Sequence, residues 1–282
     1  MNVPTKVQRR LADGIKKFQP ILSQMKARDV SESDTGKLIV DILSEVLGYD
    51  KYTEVTSEHA IRGTFCDLAI TLDGRLQTLL EVKAIGIDLA DKHVKQAVDY
   101  GVNQGVEWVV LTNGIIWRVY RLVFAKPVSA ELIVEFDMLS FNAKDAASAE
   151  QLFLLCKEGW NKSVLGEYFT QRQALSRYYM AATLLTEPVL DVIRRELRRI
   201  SPDVRIDSED ISKVLAAEVI KRDCLEGEKA DEARKGVRKA AGKALRAVKE
   251  RPAASSSSSV ENVASPDVEV NEVASNDVEA SQ

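Results

Sequence analysis

Asp67, Glu81 and Lys83 are the residues of this chain whose types and spacing can do chemistry. Carboxylate oxygens are the ligands that hard divalent cations take, and an ammonium beside them can orient a water or offset charge on a phosphodiester. Leu68-Ala69-Ile70-Thr71-Leu72, then Asp73-Gly74, then Leu79-Leu80-Glu81-Val82-Lys83 read as two strands joined by a turn. Asp-Gly between apolar runs is among the strongest short hairpin signals. Side chains alternate along a strand, so Glu81 and Lys83 share one face while Val82 points to the other. An acid and a lysine ending an apolar strand cost desolvation unless they are paired or metal-bound. A surface salt bridge accounts for the same residues without chemistry. Gln96 and Tyr100, four apart on the next helical stretch, share a face and bring an amide and a hydroxyl. Read alone, they describe an amphipathic helix in which Tyr100 packs and Gln96 is solvated.

The elements that must position these groups follow from the apolar spacing. Val7, Leu11, Ile15, Phe18, Ile21 and Leu22 predict a helix over 5–25, which Pro20 should kink or end. Ser31, with Asp34 three residues on, caps a second helix bearing Leu38, Ile39, Ile42, Leu43, Val46 and Leu47, closed by Gly48. Strands are expected at about 51–57, 64–72 and 76–83, then a helix from about Ala90 to Gly101. Further strands follow at 107–112, 115–123 and 131–136, with Asn113-Gly114 as a tight turn. This order describes an α/β core with a mixed sheet. Residues 145–200 are helical in pattern, 207–223 form a short helix capped by Asp207 or Ser208, and 228–250 form an Ala- and Lys-rich helix. The last residues contain five serines in a row and an imperfect repeat starting at Val263 and Val273, and cannot bury enough apolar surface to order themselves.

Composition excludes several classes. No run of about eighteen apolar residues is present, so no membrane span is expected. The charged N-terminus lacks a signal-type apolar block. Cys66, Cys156 and Cys224 are scattered, which suits a reducing, cytoplasmic setting, and with only His59 and His93 a multi-histidine metal site is not expected. The net charge of −4 conceals an uneven distribution. Residues 252–282 hold six acids and no Lys or Arg, which leaves residues 1–251 at +2.

Taken in order, the motifs resemble a known family. Glu32 through Asp50 looks like the opening helix of the N-terminal domain of type I restriction enzyme R subunits. Arg62-Gly63-Thr64-Phe65-Cys66-Asp67 and Leu80-Glu81-Val82-Lys83 match its metal-binding strands. Gln96 and Tyr100 match its Gln-x-x-x-Tyr helix, and Leu111 through Tyr120 match the hairpin that follows. The resemblance covers about residues 30–137 and implies a restriction-endonuclease-like PD-(D/E)xK fold with Mg²⁺-dependent cleavage of DNA. It implies Asp67 and Glu81 as metal ligands, with the Val82 carbonyl as a further donor. Lys83 would orient water or stabilise phosphate charge, and Gln96 and Tyr100 would support the site or contact the DNA backbone. Glu32 is the candidate third carboxylate, and Glu45 competes with it. Cys66 stands where a Pro often precedes the Asp.

The chain departs from a complete R subunit in lacking a G-x-x-x-x-G-K-[ST] phosphate loop, so no ATP use is expected. Four segments are expected: a nuclease-like domain at 1–140, a helical extension at 141–227, a basic helix at 228–251 and a disordered acidic tail at 252–282. The basic helix carries nine Lys/Arg against three acids from Lys229 to Arg251, and Arg234, Lys235, Arg238 and Lys239 are candidates for DNA contact. Arg194, Arg195, Arg198 and Arg199 read more plainly as a solvated face. The leading expectation is a Mg²⁺-dependent DNA endonuclease, free-standing or working with a restriction-modification or other protein partner. Its rivals are a non-catalytic DNA-binding or assembly module that kept the fold, and a protein scaffold built on the helical half.

Overall fold

The computed structural model describes residues 2–61, 64–124 and 127–249. Arg62 and Gly63 of the motif above, Arg251 and the whole acidic tail lie outside the described residues. The chain divides into two compact units, with the boundary between Met180 and Ala181.

The first unit is built on a six-stranded sheet in sequential order: β1 (Val55–Ile61), β2 (Thr64–Leu72), β3 (Arg75–Val82), β4 (Trp108–Thr112), β5 (Ile116–Val123) and β6 (Ser129–Asp137). All neighbours are antiparallel except β3 and β4, which run parallel. A parallel pair needs a crossover, and α3 (Asp91–Gln104) provides it, packing on β3 and β4. The mixed α/β sheet expected from the motif order is the observed one.

Two apolar layers cover the sheet. On one face α1 (Thr5–Ala27) brings Leu11, Ile15, Phe18 and Leu22, and α2 (Glu32–Glu45) brings Ile39, Ile42 and Leu43, onto Leu68, Ile70, Leu80, Val82 and Val110. On the other, Ala97 and Tyr100 of α3 meet Cys66, Ala69, Leu79, Val109 and Leu111. With both faces covered, β3 is buried from Thr78 to Val82 and β4 from Val109 to Thr112. A polar side chain at their ends is therefore shielded from water on both sides. The short helices α4 (Ala146–Phe153), α5 (Lys157–Asn161) and α6 (Val164–Ala174), with the link between the first two, add Leu152, Phe153, Leu155, Val164 and Leu165 to the larger layer.

Local expectations mostly hold. Ser31 caps α2 by accepting from the Asp34 N–H, and Asp73 and Gly74, both at positive φ, turn β2 into β3. Pro20 neither ends nor breaks α1, which runs through it. Pro20 is exposed, so the carbonyl one turn earlier, at Lys16, can take a hydrogen bond from water instead. β1 starts later than expected because Asp50 accepts from the Tyr52 and Thr53 N–H groups and rolls 51–54 into a turn. At β4–β5 the closing pair is Asn113 and Ile116, with Gly114 alone at positive φ, so the turn is centred one residue later than expected.

α7 (Arg177–Leu184) spans the boundary. The second unit continues with α8 (Glu187–Ile200), α9 (Ser208–Val214), a π-helical turn (Leu215–Val219), a 3-10 turn (Arg222–Cys224) and α10 (Glu228–Lys249). Asp207 caps α9 through the Asp210 N–H. Among the residues of α10 whose burial is described, Ala230 and Ala233 are buried while Lys235, Arg238 and Lys239 stand in water.

Candidate active site

The hairpin register brings the two acids together. Leu68 lies opposite Leu80, and Asp67 and Glu81 are the next residues along their strands. Alternation sends both toward the face of Ala69 and Leu79, the α3 side, while Val82 joins the opposite layer as expected. Asp67 Oδ2 accepts the Val82 N–H at 2.7 Å, which lays its carboxylate across the end of β3. Lys83 Nζ donates to Glu81 Oε1 at 2.7 Å. The Lys83 backbone N–H donates to Thr112 O at 2.9 Å, extending the β3–β4 pairing and fixing where the amine leaves the sheet. Asp67, Glu81 and Lys83 thus converge.

Burial decides the electrostatics. The Glu81 side chain is 1% exposed, and burial pushes its carboxyl up to about 7 against the pull of Lys83, with the Asp67 and Glu32 charges adding to the rise. Burial also holds Asp67 above its ordinary value, opposed by the Val82 N–H and by Lys83. For Lys83 burial acts downward, but the Glu81 hydrogen bond and the surrounding carboxylates outweigh it and raise the ammonium. Burial lifts the Cys66 thiol to about 12, so the residue ahead of Asp67 is a packing group and not a nucleophile.

Asp67 and Glu81 offer oxygen atoms of the type that a hard divalent cation takes. Glu81 Oε2 is buried and, among the described residues, has no hydrogen-bond partner, a cost that a cation would remove. The Val82 N–H engages one Asp67 oxygen and leaves the other as a donor. Among the described residues no group of three or more His, Cys, Asp and Glu side chains is placed to hold a metal ion. Two carboxylates suit an ion that keeps most of its waters; they do not make a zinc site or an all-protein calcium cage.

The other expected residues divide. Glu32, in the first turn of α2, places Oε2 3.7 Å from Lys83 Nζ. Glu45, at the far end of the same helix, pairs with Lys17, which removes it as a competitor for the site. On α3, exposed Gln96 donates its Nε2 to the hydroxyl of buried Tyr100 at 3.1 Å. The pair lines a shallow groove with Lys92, Lys95, Asp99 and Asn103. On α10, Lys235, Arg238 and Lys239 are exposed, whereas Arg234 is held by Asp231 and by the Leu225 carbonyl. Arg199 pairs with Glu196 in solvent, in keeping with a solvated helix face, whereas Arg194 is half-buried and pairs with Asp191.

Three residues that sequence reasoning did not single out hold the segment between Lys83 and α3. Buried Thr35 accepts the Ile85 N–H at 3.1 Å and donates to Ser31 O at 2.8 Å. Asn113 donates to Ile87 O at 2.9 Å while its Oδ1 accepts the Ile115 and Ile116 N–H groups. Arg118 donates to Leu89 O at 2.8 Å. His93 was also missed. Its Nδ1 accepts the Ala90 N–H, and burial, Lys92 and Lys83 all hold it below its ordinary value. The only signal for Asn113 was its place before Gly114, which reads as a turn and nothing more.

The comparison with protein families falls on this same segment. Residues 31–136 match the family model described as type I restriction enzyme R protein N terminus. The matched segment runs from the Ser31 cap into β6 and contains Asp67, Glu81, Lys83, Gln96 and Tyr100. It agrees with the sequence resemblance to within a residue or so at each end and leaves α1 and everything after β6 outside. No curated protein and no solved structure matches the chain. Among the described residues no helix is long and apolar enough to cross a membrane.

Proposed function

We propose that the segment matched to the R-protein N terminus is a Mg²⁺-dependent DNA endonuclease that hydrolyses phosphodiester bonds. The observation that carries this reading is the buried Glu81 carboxylate, one oxygen on Lys83 and the other without a partner among the described residues, beside Asp67 at the end of the same hairpin. Asp67 and Glu81, with the Val82 carbonyl, would hold the ion. When bound, Mg²⁺ lowers the pKa of a coordinated water and offsets charge on the phosphate. Lys83, kept charged by its carboxylate neighbours, orients the attacking water or stabilises the charge that develops on the phosphoryl oxygens. The Gln96 amide and Tyr100 hydroxyl, already paired, support the site or contact the DNA backbone. Lys235, Arg238 and Lys239 supply sequence-independent phosphate contacts. Without a phosphate loop the chain does not consume ATP itself; a restriction-modification or other protein partner in the cytoplasm would supply any motor.

The test is incubation of the purified protein with supercoiled plasmid and Mg²⁺. Cleavage by the wild-type protein that disappears in Lys83→Ala supports the enzyme. Intact DNA binding without cleavage supports a second reading, a non-catalytic DNA-binding or assembly module. One observation favours that second reading: among the described residues three metal-binding side chains are not clustered.

A further inference from the structure

Lys83 lies between two carboxylates of unequal character. Glu81 is buried and hydrogen-bonded to the amine, and Glu32 is half-exposed and 3.7 Å away. A carboxylate that serves as a cation ligand cannot hold an ammonium equally well, because the two positive charges repel at this range in a dry site. The Lys83 side chain is only 18% exposed, so few waters reach its amine and a nearby carboxylate is the stronger replacement acceptor. The first turn of α2 is tied to the strand that carries Lys83: Thr35, one turn beyond Ser31, accepts the N–H of Ile85, two residues after the lysine. That bond sets the spacing between Glu32 and Lys83 independently of either side chain.

We infer that Glu32 is a positioning residue, the carboxylate that holds the Lys83 amine when Glu81 serves as a cation ligand, and not a third ligand itself. The inference rests on the proposed reading of the site and assigns Glu32 a role opposite to the one its sequence position suggests.

Mn²⁺ binding to the full chain, measured by calorimetry and by electron paramagnetic resonance, separates the two roles without any need for turnover. We expect Glu32→Gln to weaken single-site binding by no more than about threefold, through the Lys83 amine it no longer holds, while Glu81→Gln, which removes a ligand, loses tenfold or more. Loss of tenfold or more in Glu32→Gln, with wild-type binding intact, would overturn this inference alone. Absence of Mn²⁺ binding by the wild-type protein would overturn the reading of the site and this inference with it. The positioning role itself is read from single-turnover plasmid cleavage. Glu32→Gln should slow the chemical step about tenfold at unchanged KM, with no further slowing when it is added to Lys83→Ala. Additive losses in the double variant would contradict action through Lys83.

Discussion

The site at the end of β3 and the basic helix α10 both gather charge, and they do so in opposite environments. At β3 two packed layers exclude water, so a single carboxylate is pushed up to about 7 and three charged groups respond to one another. On α10 Lys235, Arg238 and Lys239 stand in solvent over a face of Ala230 and Ala233. Few charges in a dry place can do chemistry; many charges in water can only attract. The sites should therefore fail differently when altered.

The largest effect belongs to the dry site. Lys83→Ala should lower single-turnover cleavage by roughly a hundredfold to a thousandfold, the scale of losing one preorganised charge at a reacting phosphate. An unchanged thermal melt in the same variant would show that the loss is chemical.

On α10 the effect should be smaller and sensitive to salt. Replacing Lys235, Arg238 and Lys239 together by Ala should weaken duplex binding about tenfold near 0.1 M salt and flatten the log K against log salt slope by roughly 2 to 3. Filter binding across a salt series measures both. Arg234→Ala should do less, because Asp231 and the Leu225 carbonyl already engage its guanidinium.

Glu81 links stability to pH in a direction opposite to most carboxylates. Its folded value of about 7 exceeds the ordinary 4.5, so between those values the folded chain keeps a proton that the unfolded chain has released. Stability should therefore fall as pH rises from about 4.5 to 7 and then level off. Glu81→Gln should remove that decline, making the metal-free protein about 1–3 kcal/mol more stable than wild type at pH 8 and no more stable at pH 4. Urea denaturation at both pH values measures it.

A further effect tests the loop anchors. Asn113→Ala strands the Ile115 and Ile116 N–H groups and should cost about 1–3 kcal/mol. Cleavage should fall with it, since the same side chain holds the segment that leads from Lys83 to α3.

What was legible in the sequence was local. The Ser31 cap, the Asp73-Gly74 turn, the alternation through β3 and the helix period of α3 are written in neighbouring residues, and each appears in the fold. Asp67, Glu81 and Lys83 were legible because a short hairpin brings nearby positions together. The link from Thr35 to Ile85 and that from Asn113 to Ile87 join positions far apart in the chain, and no periodicity reports such contacts. Pro20 misled because its effect depends on which face of α1 it occupies, which only packing decides. Glu32 and Glu45 could not be separated on type alone; the pairing of Glu45 with Lys17 separates them.

The central claim is that the half-buried Asp67 carboxylate of β2 and the buried Glu81 carboxylate of β3 seat a divalent cation. Anomalous diffraction from crystals soaked in Mn²⁺ tests it most directly. The account predicts one peak about 2.0–2.3 Å from a carboxylate oxygen of both Asp67 and Glu81. A structure soaked at saturating Mn²⁺ with no peak there, and Lys83 still closed on Glu81, would contradict it.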